Sequence, residues 1–497
     1  MSVLSARPHL ARLALAASAS LAVAGLSAAT ASALPAHTGG SAAVTQVTRL
    51  SADPYTNPKA EHATEVEPDI YSHGNTIVAV FQTGRFSSGG SDDIGWATST
   101  DGGTTWQHGF LPGITRHQGG GVWNRVSDPA IAYDPKAGLW LASGLTLDLP
   151  NGPFGVTVSS STDGITWQKP VTVSKTSGGY DKNWITCDTT PSSPHYGNCY
   201  VEWDITSNGD QVVMSTSTDG GTTWSAPKSP ADTPHGLGGQ PLVQPSGTVV
   251  VPFLSDGGAI RSFTSTNGGS SWNASVLVAN PQVAIDPGGI RAGDLPQAEE
   301  DGAGKVYVAW EDCRFRSGCS SNDIVYSDSS NGTSWSSVAR VPIDSVTSGA
   351  DHFNPGFGVD PATSGAAARI GLYYYFFPNS NCTVSTCQLE VGYISSANAG
   401  SSWGTPVTLA GPMKLSQLAQ AGGAFVGDYM GSAFVSGSAY SSFAVGVKPA
   451  NGEKYDEGMY TAGGLPAKGG RVKAATGPVY PGTSRHRGIP VILSTSP

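Results

Sequence analysis

The chain has 497 residues, a formal net charge of −10 and only 13% charged residues. This acidic balance disfavours nucleic acid as a partner, because nucleic-acid surfaces are recognised by basic patches. The 65 glycines and 34 prolines favour short strands joined by many turns and leave little room for long helices.

The N-terminus has the pattern of a secretory signal peptide. Arg7 and Arg12 precede an apolar run over residues 13–28, and an A-x-A cleavage site follows. A retained membrane anchor is the alternative, but the run is short for a membrane span. We therefore predict a signal peptide over 1–33 and a flexible leader over 34–43. The mature protein is expected to be secreted and extracellular, without a membrane contact after cleavage.

One short turn recurs six times along the rest of the chain. It reads S-T-D-G-G-T-T-W at both 99–106 and 217–224. Related copies occupy 161–167, 265–272, 329–335 and 396–403. Asp or Asn hydrogen-bonds the backbone ahead of it, glycine supplies a positive φ, and the tryptophan packs beneath. Successive tryptophans are 48 to 68 residues apart, enough for a four-stranded sheet per repeat. This spacing predicts the blades of a β-propeller.

A second pattern marks the start of each predicted blade: an acidic or amide residue at or near a proline, followed by an apolar strand. Its instances are Glu67-Pro68, Asp128-Pro129, Gln240-Pro241, Asp294 with Pro296, Asn354-Pro355 and, without the proline, Asp181 and Asp428. These openings predict seven blades within residues 44–465. The last blade lacks a fourth strand, which the strand at 44–50 would supply, closing the ring. The tail at 466–497 receives no structural assignment.

The recurring turns resemble the Asp-boxes, also called BNR repeats, of the sialidase superfamily. The resemblance covers nearly the whole chain after the signal peptide. It implies an all-β fold, which we predict as a seven-bladed β-propeller with Asp-box repeats. A six-bladed ring with an unrelated C-terminal piece stays open, because catalytic sialidase domains are six-bladed. Asp-boxes lie on the outer edge of the blades, so they indicate the fold and not the chemistry.

The resemblance also implies a catalytic set that this chain holds only in part. Sialidases bind a substrate carboxylate with three arginines, use a tyrosine backed by a glutamate as nucleophile, and use an aspartate as acid/base. The first arginine is absent, since Glu67 and Pro68 stand at its place. Gln240 and Asp256 stand where a glutamate and an arginine are expected.

Two of the catalytic roles find matching residues. Tyr440, in the stretch A-Y-S-S, resembles the nucleophile, and Asp92 or Asp93, in the loop before Ile94, matches the acid/base. A tyrosine without its glutamate is a poor nucleophile. The motifs therefore predict the sialidase-like fold, whereas the catalytic set needed for sialic acid hydrolysis is incomplete.

Further candidates for substrate binding are Arg85, Arg314, Trp184 and the pair Asp351-His352. Arg85 and Arg314 stand in similar stretches before D-I strands, and this repetition favours structural ion pairing. Trp184 can stack on a sugar face, although buried tryptophans are commoner in blades. Asp351 and His352 form either a general base or a hydrogen-bonded turn.

The six cysteines fall into three near pairs, as expected for local disulfides formed in an oxidising compartment. The pairs are Cys187 with Cys199, Cys313 with Cys319, and Cys382 with Cys387.

We predict a carbohydrate-active protein, a glycoside hydrolase or another glycan-cleaving enzyme, that acts as a monomer on an extracellular glycan or polysaccharide. The alternative is a non-catalytic propeller that binds glycans or proteins. Acids crowded around a propeller mouth must share protons, pair with a cation or hold a hard metal. A bound Ca²⁺ is the cofactor that the third outcome would require. No metal ligand is assigned.

Overall fold

The computed structural model describes residues 47–149, 152–293, 295–450 and 452–467, and the backbone of 491–492. The predicted signal peptide, the leader, most of the tail and the blade opening at Asp294 lie outside the described residues. The described chain is all-β, and its only helices are single 3-10 turns. These turns are Thr206–Asn208, Pro287–Gly289, Ser317–Cys319, Gly365–Ala367 and Leu415–Gln417. Within the described residues, no helix is long and apolar enough to cross a membrane.

Six antiparallel meanders follow one another along the chain, as the repeat spacing predicts. The first meander contains Glu61–His73, Thr76–Arg85, Ser91–Ser99 and Gln107–Phe110. The second contains Arg125–Asp134, Leu139–Leu147, Phe154–Ser161 and Val171–Thr176. The third contains Asp181–Cys187, Cys199–Ile205 and Gln211–Ser217.

The next three meanders repeat the arrangement. The fourth contains Gly236–Leu237, Leu242–Val243, Val249–Ser255, Ile260–Ser265 and Val276–Ala279. The fifth contains Gln297–Glu300, Val306–Asp312, Asp323–Ser329 and Ala339–Arg340. The sixth contains Asp351–Val359, Ile370–Phe377, Gln388–Ser396 and Val407–Lys414.

The remaining strands form a C-terminal group preceded by a short hairpin. The hairpin pairs Ala419–Gln420 with Ala424–Phe425. The C-terminal group contains Ser432–Val435, Ser438–Ser441, Phe443–Gly446, Glu457–Thr461 and Leu465–Pro466. Thr48–Arg49 pairs antiparallel with Glu457–Thr461, so the N-terminal strand joins the last strands of the chain. The backbone of Val491–Ile492 lies parallel to Gln107–Phe110.

Strands near the middle of the meanders are buried on both faces. Ser91–Ser99 is buried at every position, and Thr76–Arg85 at all but its first. A strand covered on both faces needs a nearly continuous apolar run instead of strict alternation, and β-branched and aromatic residues fit such a pleated surface. The stretch I-V-A-V-F at 77–81 has this composition. The meanders therefore pack face to face.

The Asp-box tryptophans pack at the boundaries between meanders. Each lies in an apolar cluster with a residue of the group before it. The pairs are Trp167 with Val78, Trp224 with Leu141, Trp272 with Tyr200, Trp335 with Val250, Trp403 with Tyr326 and Trp106 with Tyr440. The last pair differs from the others, because it joins the first meander to the C-terminal group.

The turn itself has the hydrogen bonds that its residue types predict. In the first copy, Gly103 N donates to Ser99 Oγ at 2.8 Å and Thr105 N donates to Asp101 Oδ1 at 2.9 Å. Trp106 Nε1 donates to the Gly103 carbonyl at 3.2 Å. Gly102 and Gly103 have φ values of 69° and 83°, which L side chains rarely adopt. These hydrogen bonds hold the turn in one conformation, and its tryptophan side chain is buried in the apolar cluster.

Tyr440 contributes to the contact between the first meander and the C-terminal group. Its hydroxyl donates to the Gly102 carbonyl of the first Asp-box turn at 2.7 Å. Asp93 pairs with Thr83 at the far end of the strand Ser91–Ser99, and the turn follows the other end. A strand of nine residues spans roughly 25–30 Å. The structure therefore does not bring Tyr440 and Asp93 into one site.

We expect Tyr440→Phe to lower the free energy of unfolding by about 1 kcal/mol, because it removes one hydrogen bond between packed groups. The measurement is thermal or urea unfolding of the purified protein. Tyr133→Phe, at a half-buried tyrosine of the second meander, is the control. Unchanged stability together with loss of a glycan-cleaving activity would instead assign Tyr440 to catalysis.

All three predicted disulfides are confirmed, namely Cys187–Cys199, Cys313–Cys319 and Cys382–Cys387. The first joins two neighbouring strands of the third meander, and the other two close short loops.

Candidate functional site

The first strands of four meanders share a bulge at the residues predicted to open the blades. The first residue of the bulge has a left-handed backbone, with φ of 54° at Glu67, 47° at Asp128, 46° at Lys182 and 49° at Asn354. The strand pairing shifts register at each of these points. Such bulges re-aim side chains and are common next to binding sites. In the third meander this position belongs to Lys182 and not to Asp181, so the predicted opening is wrong by one residue.

The shift to Lys182 places a cation among the predicted ring of acids. Its ammonium lies 2.8 Å from Asp128 Oδ1, 2.6 Å from Asp428 Oδ2 and 3.5 Å from Glu67 Oε1. All four side chains are less than a tenth exposed. We call these four residues the central cluster. The sequence analysis left shared protons, a pairing cation and a hard metal open for crowded carboxylates, and Lys182 is a pairing cation from the chain itself.

The pKa values of the central cluster are shifted by burial and by one another. Burial raises the pKa of Glu67 to about 8 although Lys182 opposes this. Burial alone would raise the pKa of Asp428, but Lys182 and Arg291 hold it well below its ordinary value. Asp128, Asp428 and Glu67 overcome the burial of Lys182 and raise its pKa. This shift favours the protonated form of Glu67 at neutral pH.

Two arginines near the central cluster, Arg85 and Arg291, already donate hydrogen bonds to oxygens of the protein. Arg291 donates to Asp428 at 2.5 and 3.0 Å, and Arg85 donates to the carbonyls of Phe86 and Gly90 at 2.6 and 3.2 Å. The ring of Phe425 lies between these two guanidinium groups, 4.8 Å from each.

The fifth meander repeats this pattern of paired arginines. Arg314 donates to Asp312 at 2.6 Å, as the prediction of structural ion pairing requires. Arg316 and Arg340 both donate to Asp323 and Asp344.

Asp92 and Asp93 form a second group, at the start of the strand Ser91–Ser99. Asn57 Nδ2 donates to Asp92 Oδ1 at 2.5 Å, and His117 Nε2 lies 3.5 Å from the same oxygen. The Tyr55 hydroxyl donates to Asp93 Oδ2 at 3.2 Å. One oxygen of each acid, Asp92 Oδ2 and Asp93 Oδ1, has no hydrogen-bond partner among the described residues. We call Tyr55, Asn57, Asp92, Asp93 and His117 the acid pair site.

A strap of residues 51–60 carries Tyr55 and Asn57 over the two acids. The strap is fixed at Asp53, whose carboxylate accepts from Ala63 N at 2.8 Å and lies 3.2 Å from His62 Nδ1. Asp92 and Asp93 are completely buried beneath it, whereas His62 and His117 are about a quarter exposed.

Burial controls the protonation of the acid pair. It raises the pKa of Asp92 to about 7, although the hydrogen bond from Asn57 lowers it. Burial also raises the pKa of Asp93 well above its ordinary value, and the charge of Asp92 adds to this. A carboxylic acid that keeps its proton near neutral pH can act as a general acid. A pKa of about 7 lets part of the Asp92 population keep its proton at neutral pH.

Asp351 and His352 lie apart from both groups. His352 is almost fully buried, with Nδ1 3.2 Å from the Asn322 carbonyl and Nε2 3.7 Å from Asp344 Oδ2. Burial lowers the pKa of His352, so its imidazole is neutral near pH 7. Asp351 accepts from Asn322 N at 2.7 Å. These contacts match the hydrogen-bonded turn that the sequence analysis left open beside the general base.

One cluster in the described residues has ligand atoms close enough for a metal: Asp323, Asp344 and His352, within 4.8 Å of one another. Arg316 and Arg340 already donate to both carboxylates at 2.6 to 2.9 Å. A cation placed there would face two guanidinium groups, so the donor set does not fit Ca²⁺.

Trp184 lies at the side of the central cluster. Its ring meets Tyr429 edge to face at 5.1 Å between centroids. With Lys182, Gln240 and Gln297 it lines a cavity of about 10 Å³, which holds about one water and no sugar ring.

Asp204 is a buried acid that neither group uses. It is 1% exposed, and neither carboxylate oxygen has a hydrogen-bond partner among the described residues. Burial raises the pKa of Asp204 well above its ordinary value, and the charges of Asp181 and Glu202 add to this. The folded protein therefore keeps Asp204 protonated, while the unfolded chain ionises it above about pH 4.

This difference predicts that Asp204→Asn stabilises the protein more at pH 8 than at pH 5. The wild type loses stability as pH rises from about 4 toward the folded-state pKa of Asp204, and the amide does not ionise. The check is the difference in melting temperature between variant and wild type at the two pH values. Asp101→Asn is the control without a pH dependence in this range, because hydrogen bonds from Thr105 lower the pKa of Asp101 to about 2 and it is ionised at both pH values. The same difference in melting temperature between variant and wild type at both pH values would contradict the prediction.

No protein-family model matches the chain, and no curated protein matches it. Among solved structures, a Hadza microbial sialidase has a TM-score of 0.43 and 14% identity over 81% of this chain and 66% of that one. A protein of unknown function from Dyadobacter fermentans has a TM-score of 0.43 and 16% identity over 71% of this chain and 100% of that one. Trypanosoma rangeli sialidase has a TM-score of 0.43 and 12% identity over 85% and 58%.

The chain thus spans less than two thirds of the length of the two sialidases. Structures to which it is similar include sialidases. All three TM-scores are below 0.5, and nothing about activity follows from them.

Sequence analysis missed Lys182, Arg291, Tyr55 and Asn57 as members of these groups. The pattern of blade openings selected Asp181 and not Lys182, since a one-residue bulge is invisible in an apolar pattern. Tyr55 and Asn57 lie in a strap without regular structure. The dense run of polar residues and prolines at 53–59 is the one signal that marks it.

Proposed function

We propose that the chain is a secreted, seven-bladed β-propeller that cleaves an extracellular glycan, with Asp92 as the proton donor. The six meanders and the C-terminal group are the seven blades in this proposal. The observation that carries the chemistry is the acid pair site, where a buried carboxyl has its pKa raised to about 7.

Three contacts support the closed ring. Trp106 of the first meander belongs to the same apolar cluster as Tyr440 of the C-terminal group, as each other Asp-box tryptophan shares a cluster with the group before it. Thr48–Arg49 pairs with Glu457–Thr461, and Thr64 pairs with Glu457 in parallel. In the centre, Lys182 of the third meander reaches Glu67 of the first and Asp428 before the C-terminal group. These contacts link the two ends of the chain, which removes open sheet edges.

The position of the acid pair supports a role in glycan cleavage. Hydrolysis of a glycosidic bond needs an acid that protonates the leaving oxygen, and this acid must hold its proton at the working pH. Asp92 meets the second condition through burial, and Asn57 and His117 fix one of its oxygens. Its other oxygen has no partner among the described residues and is available to a substrate once the strap moves.

The state of the arginines favours a glycan other than a sialoside. A sialoside carboxylate needs several free guanidinium groups. Arg85, Arg291, Arg314, Arg316 and Arg340 already donate to protein oxygens. We therefore propose a neutral glycan as the substrate class.

A non-catalytic glycan-binding propeller is the second candidate, and one observation favours it. Asp92 and Asp93 are completely buried under Tyr55 and Asn57, as structural acids are. In that case the same acids only hold the strap in place.

A screen of the mature protein against neutral polysaccharides and sialosides separates the two candidates. Release of reducing ends from a neutral glycan by wild type, and not by Asp92→Asn, supports the enzyme. Saturable binding without turnover, equal in wild type and Asp92→Asn, supports the binding module. Turnover of sialosides alone would contradict the proposed substrate class.

A further inference from the structure

A cavity of about 590 Å³ lies at the other end of the meanders from the acid pair. Five of the connections between first and second strands line it, at residues 71–74, Pro135, Thr189, 360–363 and 436–437. Asp92 lies beyond the opposite end of the strand that begins at Thr76, so the cavity is separate from the acid pair site. Its volume is within the range of about 300–1,000 Å³ typical of ligand pockets.

Two charged side chains in this cavity have unused hydrogen-bonding capacity. Asp360 is 3% exposed, and its Oδ1 accepts from Ala362 N at 3.0 Å while its Oδ2 has no partner among the described residues. Arg369 Nη1 lies 3.6 Å from that oxygen, farther than the roughly 2.7–3.2 Å of an N–H···O hydrogen bond. The Arg369 side chain is 42% exposed. A carboxylate acceptor and a guanidinium donor thus stand side by side at the cavity wall.

Gly437 keeps Arg369 in this position. The glycine has a φ of 76°, and a Cβ there would lie 2.7 Å from Arg369 Nη1. The guanidinium therefore rests against bare backbone on one side and faces the cavity on the other.

The pair of charges decides which ligand class fits. An anion on Arg369 would face the buried oxygen of Asp360, and a cation on Asp360 would face the guanidinium, so both are repelled. A neutral molecule with adjacent hydroxyls matches both groups, because one hydroxyl accepts from Arg369 while its neighbour donates to Asp360. Tyr71 and Phe434 add an apolar wall for the C–H face of a sugar ring.

We propose that this cavity is a second site, which binds a neutral sugar unit through two adjacent hydroxyls held by Arg369 and Asp360. The site is independent of the proposed glycan cleavage. It would attach the protein to a glycan at the face opposite Asp92.

The test is binding of neutral methyl glycosides, such as those of glucose, galactose and mannose, measured by ligand-observed NMR on the full mature protein. We expect saturable binding of at least one glycoside, weakened about tenfold or more in Arg369→Met, because a charged hydrogen bond is lost. Asp360→Asn keeps the acceptor for Ala362 N but presents an amide to the ligand, and the same loss is expected. Lys169→Met, at an exposed lysine that does not line this cavity, is the matched control and should bind as wild type does.

Failure of all neutral glycosides to bind, or binding that both Arg369→Met and Asp360→Asn leave unchanged, would overturn the proposal. Preferential binding of a sialic acid methyl glycoside would overturn the neutral class. Loss of glycan cleavage in Asp92→Asn with unchanged glycoside binding keeps the two sites distinct. If Arg369→Met does not fold, Asp360→Asn decides.

Discussion

Replacing Lys182 with methionine is expected to lower the free energy of unfolding by about 3–5 kcal/mol, because it leaves buried carboxylates without their cation. The ammonium is within 3.5 Å of Glu67, Asp128 and Asp428. After the substitution, Asp428 keeps a second cation in Arg291. Taking one partner from a buried ion network costs more than the network contributes, since the remaining charge stays desolvated. Methionine keeps most of the length of lysine, so the loss reports charge and not volume.

The measurement is urea unfolding of wild type and variant at pH 7. Lys169→Met removes an exposed lysine and is expected to change stability by less than about 0.5 kcal/mol. Adding Asp128→Asn to Lys182→Met should restore part of the loss, because it removes one of the unpaired charges. A Lys182→Met variant as stable as wild type would show that the central cluster is solvated and does not hold the first, third and C-terminal groups together.

Asp92→Asn is expected to reduce glycan turnover by about 100-fold or more, the range over which a general acid contributes. The amide has the shape of the acid and can still accept from Asn57, but it cannot transfer a proton. The activity of the wild type should fall as pH rises through about 7, because burial raises the pKa of Asp92 to about 7 and the unprotonated form has no proton to give. The measurement is the pH profile of kcat/KM on the glycan found in the screen.

Asp256→Asn is the matched control, since Asp256 is exposed in the corresponding loop of the fourth meander. It should leave the rate and the pH profile unchanged. Equal rates for Asp92→Asn and wild type would remove Asp92 from the mechanism and leave the acid pair as an anchor for the strap.

The repeated turns made the fold predictable, and the site depends on details that repeats do not encode. Ser99, Asp101 and Trp106 interact within eight residues, so their geometry follows from local hydrogen bonds. Lys182 and Asp428 are far apart in the chain, and their contact depends on the order of the meanders. Because the bulge places Lys182 and not Asp181 at this position, a set of openings predicted as acids and amides includes a lysine.

For the acid pair as well, a local motif identifies the residues, whereas contacts with a distant segment of the chain determine their pKa values. The match of the loop before Ile94 to an acid/base loop singled out Asp92 and Asp93. Their raised pKa values depend on burial beneath Tyr55 and Asn57, which precede the first meander. Tyr440 matched a catalytic stretch by sequence, and its hydroxyl instead contacts the first Asp-box turn. A short motif identifies a residue type, and only the packing shows which groups that residue meets.

Direct titration of the Asp92 carboxyl tests the central claim without any substrate. Protein labelled with ¹³C at aspartate carboxyl groups is followed by NMR from pH 4 to 9, and Asp92→Asn assigns the signal. The account predicts a midpoint of about 7 for Asp92. A midpoint near the ordinary value of about 3.9 would show that Asp92 is ionised at neutral pH and cannot be the proton donor.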